Sequence, residues 1–142
     1  MIRNIGVRSM LSLRLALQAE AYLRCGRVEQ ADHLLQQAEE FIQETGERFY
    51  YAEVLRLRGE MLLLQSSYRS AEAETCFCQA LQVAGTQEAR TLELRAAMSL
   101  ARLWKDQGRL AEARQVLAEV YNWFTEGFDT PDLKEAHMLL GI

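Results

Sequence analysis

The chain has 142 residues, enough for one domain with a core of its own. Apolar residues make up 49% of it, yet no run approaches the ~18–20 apolar residues of a membrane span. The formal net charge of -4 argues against a nucleic-acid surface, and three cysteines with no export signal suit reduced thiols in a cytoplasm.

One proline and abundant Ala, Leu, Glu, Gln and Arg predict an all-α chain. The opening has Arg3, Arg8 and an apolar stretch, but Arg14, Gln18 and Glu20 interrupt it and no small-residue cleavage site follows. It reads as an amphipathic helix rather than a signal peptide. That helix is predicted over 3–25, with Leu11, Leu15, Ala19 and Tyr22 at helical spacing, and Gly26 suits its C-cap. A second spans 28–44, with Ala31, Leu34, Leu35, Ala38, Phe41 and Ile42 inward and Thr45 and Gly46 closing it. The third covers 47–65, with Leu55, Gly59 and Leu62 on one face. A glycine inside a helix costs about 1 kcal/mol against alanine, so Gly59 calls for a close neighbour.

Ser66, Ser67 and Ser70 mark a turn before a fourth helix over 70–84, with Ala73, Cys76, Phe77, Ala80, Leu81 and Ala84 inward. Gly85 and Thr86 break the pattern. The fifth helix covers 87–107, with Ala97, Leu100, Ala101 and Trp104 on its core face. The sixth, over 110–124, buries Ala113, Val116, Leu117, Val120 and Phe124. After a loop, Thr130 caps and Pro131 opens a short last helix over 131–140.

The helices fall into pairs. Ala31, Ala73 and Ala113 hold the same place in each second helix, at separations of 42 and 40 residues. Leu35, Phe77 and Leu117 follow, then Ala38, Ala80 and Val120. In the first helices the matching small residues are Ala19, Gly59 and Ala101, followed by Tyr22, Leu62 and Trp104. A helix–turn–helix unit used three times predicts a solenoid in which stacking makes the core. The chain then divides into repeats over 3–45, 47–85 and 87–124 and a capping helix over 131–140, within one domain over 1–142.

These positions resemble the tetratricopeptide repeat, in register best in the third unit through Leu100, Ala101, Trp104, Gly108, Ala113, Leu117 and Val120. Gln18 and Arg58 stand where that family prefers leucine, Ser66 replaces a turn glycine, and the period exceeds the family's ~34 residues. The resemblance implies a right-handed superhelix whose first helices line a concave surface. The run TLELRAAMSLARLWKDQGRLAEARQVLAEVYNWFTEGFDTPDLKEA looks like the C-terminal tail of bacterial predicted ATPase/adenylate-cyclase fusion proteins. That likeness implies no cyclase or ATPase activity here, because the residues for either are missing.

No catalytic constellation is legible. There is no phosphate-binding GxxxxGK[ST] or GxGxxG loop. His33 and His137 lack a second histidine at metal-ligand spacing, so no metal, cofactor or enzyme activity is expected. Cys76 and Cys78 lie about 200° apart around a helix, one inward and one outward, too divergent for a shared metal. A redox role for Cys78 requires a lowered pKa beside a cation such as Arg69. Tyr121, Trp123, Phe124 and Phe128 are either a binding patch or, as preferred, partly a pin for the last helix, with Phe124, Phe128 and a fixed corner over 126–129.

What remains is the polar face of the first helices. By register Glu20 and Arg24, then Glu53, Arg56 and Glu60, then Arg95, Met98, Arg102 and Lys105 share the side that the resemblance makes concave. The plain reading is a solvated helix face. The functional reading is a groove for an acidic or amphipathic peptide, with Met98 as adaptable apolar contact and Arg56, Arg95 and Arg102 as foremost contacts. The expected function is therefore protein or peptide binding. The alternative is a structural homo-oligomer or an intramolecular sensor segment of a larger signalling protein, because Leu11 and Leu15 could form an open apolar edge.

Overall fold

Short turns divide the chain into seven α-helices among the residues that the computed structural model describes, 2–125 and 130–141. They are α1 (Ile2–Arg24), α2 (Val28–Thr45), α3 (Tyr51–Gln65), α4 (Ser70–Thr86), α5 (Arg90–Asp106), α6 (Leu110–Tyr121) and α7 (Pro131–Leu140). One 3-10 turn over Ser67–Arg69 precedes α4, and no strand occurs among the described residues. The protein is all-α. None of these helices is long and apolar enough to cross a membrane.

The turns explain the boundaries. Gly26 and Gly108 adopt φ of 74° and 80° and reverse the chain inside the first and third pairs. Helix α3 starts four residues later than its apolar pattern suggests. The Phe49 N–H donates to Glu47 Oε1 at 3.0 Å and the Glu47 N–H to Thr45 Oγ1 at 3.2 Å, bonds that compete with helix. Gly85 does not break α4, which runs through it to Thr86. A Cβ there would lie 3.0 Å from Glu93 Oε2, so the glycine admits α5, and the left-handed residue is Glu88 at φ 57°. Helix α6 stops at Tyr121, and the Trp123 and Phe124 N–H groups close the turn on Val120 O and Tyr121 O.

Each helix packs on the next, and α1, α3, α5 and α7 also pack on one another in that order. Odd-numbered helices form one row, and each even-numbered helix packs on the two odd-numbered helices that flank it in the chain. Helix α7 thus follows α5 as α3 follows α1. The matched positions are buried in every pair: Ala31, Ala73 and Ala113, then Leu35, Phe77 and Leu117, then Ala38, Ala80 and Val120. In the middle pair the small partner is Gly59, and any Cβ there would run into the ring of the fully buried Phe77. The neighbour that Gly59 called for is that ring.

The core continues to the end of the chain, where Leu133, Ala136 and Leu140 of α7 join Leu94, Ala97, Leu117 and Val120. Half-buried Phe124 packs against this cluster, while Phe128 and the corner over 126–129 lie outside the described residues. Leu15 is buried and Leu11 half-buried against the first core cluster, so they are not an open edge. Among the described side chains of α1, large apolar ones left to solvent are Met10 and Leu17, at 55% and 50% exposure.

Candidate functional site

The polar stripes of α1, α3 and α5 meet because the odd-numbered helices are neighbours. At their centre is a four-residue ion network. The Arg56 guanidinium donates from Nε to Glu53 Oε1 at 2.8 Å and from Nη2 to Glu53 Oε2 at 2.9 Å, a planar fork on one carboxylate. Nη2 also donates to Glu20 Oε2 at 2.7 Å, and Nη1 to Ser99 Oγ at 3.2 Å. Arg95 completes the set, 2.6 Å from Glu20 Oε2 and 2.7 Å from Glu53 Oε2. The network ties α1 to α3 and α5.

Burial makes these bonds matter. Arg56 is 5% exposed and Glu53 3%. One buried charge of each sign, paired and backed by the half-buried Glu20 and Arg95, avoids the desolvation penalty of an unpaired ion. Burial pulls the Arg56 pKa down, but Glu53 and then Glu20 outweigh it, so the guanidinium is held charged. Burial pushes the Glu20 carboxyl up, yet the bonds and charges of Arg56 and Arg95 hold it below its ordinary value.

Above this network lies a groove of about 310 Å³, formed by α1, α3, α5 and α7. Of the residues expected at the site, Glu20, Arg24, Arg56 and Glu60 line it, as do Arg95, Met98 and Arg102. Glu53 lies beneath, and Lys105 is an exposed residue outside the groove's lining. Met98 is 3% exposed and serves as floor. The donors of Arg56 that face Glu53, Glu20 and Ser99 are used inside the chain, and Arg102 pairs with Glu135 of α7.

Ser99, Leu64, Asp132 and Glu135 escaped the sequence reading. Leu64 continues the α3 stripe one turn past Glu60 and is 53% exposed at the groove. Asp132 and Glu135 arrive on α7, whose place beside α5 follows from tertiary packing alone. In and beneath the groove stand the arginines at 24, 56, 95 and 102 and the carboxylates at 20, 53, 60, 132 and 135. The charges nearly balance, with acid in slight excess, so the groove lacks the basic character an acidic peptide needs.

Elsewhere the chemistry is structural. Arg58 bonds Asp32 and Glu39 of α2 at 2.5 Å each, and the Trp104 Nε1–H donates to Glu74 Oε1 at 2.7 Å. Asp32 and Glu74 occupy equivalent places at the start of α2 and α4, each reaching the following pair. Burial raises the pKa of both Cys76 and Cys78, and Glu74 raises Cys78 further against the pull of Arg109, so neither thiol is activated. His33 is exposed and contacts Gln37. A second cavity of about 690 Å³ between α1 and α2 has Tyr22, Cys25 and His33 on its wall. No group of three or more His, Cys, Asp or Glu among the described residues could hold a metal.

In comparisons with known proteins, no family model, no curated protein and no solved structure matches this chain.

Proposed function

We propose that the chain is a non-catalytic protein-interaction module: a right-handed solenoid of three tetratricopeptide-like repeats and a capping helix, docking a protein or peptide along its odd-numbered helices. The observation that carries this reading is the groove spanning α1, α3, α5 and α7, with Leu64 exposed on it. Its floor is held by the ion network, so a partner meets a surface already ordered and binding incurs little ordering cost. The free cysteines suit work in a reducing cytoplasm.

A second reading, a homo-oligomer or a sensor segment of a larger signalling protein, is favoured by exposed Met10 and Leu17 on α1. Photo-crosslinking in cells separates the two. A photoreactive phenylalanine replaces Leu64 in the groove, Leu17 on α1, or exposed His33 as control. Adducts to another protein from position 64 alone support docking. Adducts only between copies of the chain, from position 17, support the second reading and sink the first.

A further inference from the structure

We infer that the groove receives a basic, amphipathic segment of the partner, with a lysine or arginine against Glu60 and Asp132 and an adjacent apolar side chain on Leu64. This rests on the docking reading and names the chemistry of the docked segment.

Taken one by one, the charges lead there. Glu20 and Glu53 are engaged by Arg56 and Arg95 at 2.6–2.9 Å, and Arg102 is engaged by Glu135. Glu60 and Asp132 remain. Their ion pairs reach only 4.0 Å, to Arg56 and Arg95, arginines whose closer bonds go to other carboxylates. Their side chains are 32% and 34% exposed, reachable yet partly desolvated. At such sites a unit charge is screened less than on open surface, so an incoming cation gains more there. An acidic segment would meet these carboxylates as like charges. The cation on the rim is Arg24, 78% exposed and 4.0 Å from a Glu20 oxygen that already accepts two arginines.

Size and apolar surface agree. A groove of about 310 Å³ sits at the low end of the roughly 300–1,000 Å³ typical of ligand pockets and suits one or two side chains rather than a cofactor. Leu23, Leu57, Leu64 and Met98 contribute the apolar wall. A basic side chain with an apolar neighbour satisfies both kinds of surface at once.

The test is selection of a randomised displayed-peptide library on the intact chain, on Glu60→Gln/Asp132→Asn and on Arg24→Gln, with thermal melts to verify folding. Recovered peptides should be enriched in Lys and Arg with apolar neighbours. A recovered peptide should lose affinity about tenfold on Glu60→Gln/Asp132→Asn, and weaken with added salt. Arg24→Gln should strengthen it about two- to threefold by removing a rim cation. Recovery of acidic or uncharged peptides, or equal affinity for wild type and Glu60→Gln/Asp132→Asn, overturns the basic-segment inference and leaves docking standing. Recovery of no peptide above library background overturns both. If the double variant fails to fold, Arg24→Gln and the salt series decide, and an unchanged affinity in both overturns the inference.

Discussion

Gly59 and Phe77 replace the alanine and leucine that the outer pairs use at Ala19 with Leu35 and at Ala101 with Leu117. Volume has been exchanged across one contact. Gly59→Ala should therefore destabilise by about 1–3 kcal/mol through overpacking, in spite of the ~1 kcal/mol alanine gains in helix propensity. Phe77→Leu should cost about 1–2 kcal/mol by leaving a cavity. The double variant should recover to within about 1 kcal/mol of wild type, read by urea unfolding, and simple additivity would refute the exchange. The ion network makes a second prediction. Arg56→Met leaves Glu20 and the buried Glu53 to share Arg95 alone, an excess of buried negative charge, and should cost about 3–5 kcal/mol at neutral pH. Glu20 has its folded pKa depressed, so its contribution is present above the unfolded value of 4.5 and is lost as pH falls through the folded value. Thermal melts should show wild type losing stability below that pH, and the gap to Arg56→Met closing with it. Periodicity showed which residues share a stripe but not that Arg56 would be buried, because its cover comes from neighbouring helices with polar stripes of their own.

Two seams join the helix pairs, each with an apolar part and a carboxylate bond, and they differ at the matched positions Arg58 and Leu100. Between α2 and α3 stands Arg58 with Asp32 and Glu39; between α4 and α5, Leu100 and Leu103 pack on Phe77 and Ala73. Leu100→Arg would bury an uncompensated charge at a position 1% exposed and should cost more than about 3 kcal/mol by chemical denaturation. Arg58→Leu should shift stability by less than about 1 kcal/mol, because its carboxylate partners keep access to water, and should slightly reduce the salt dependence of the melt. The departure from leucine at 58 was legible in the sequence, and its partners were not, since Asp32 and Glu39 lie on a different helix. Seven helices and their inward faces were also legible, because small and large apolar residues recur at helical spacing. Helix ends were less so. At residues 47–50 side-chain bonds outcompete helix, and Gly85 signals close approach where a lone glycine more often signals a stop.

Across the whole molecule, α7 completes both the core and the groove. Ending the chain after residue 121 should expose Leu94, Ala97 and Leu117, lower the melting temperature and promote association, read by calorimetry and light scattering. An unchanged melt would show that α7 covers nothing essential. The ion network carries a further consequence for how the molecule comes apart. Stacked helix pairs ordinarily interact only with nearest neighbours, so their ends fray and partly folded arrays accumulate. Here Glu20 and Arg95 bond across 75 residues, with Arg56 between them. An array lacking either outer pair loses the Glu20–Arg95 bond and leaves the buried Glu53–Arg56 pair without part of its cover. Such partial arrays are penalised from both ends, and the chain should unfold as a single cooperative unit, with amides of α1 and α5 opening to hydrogen exchange together.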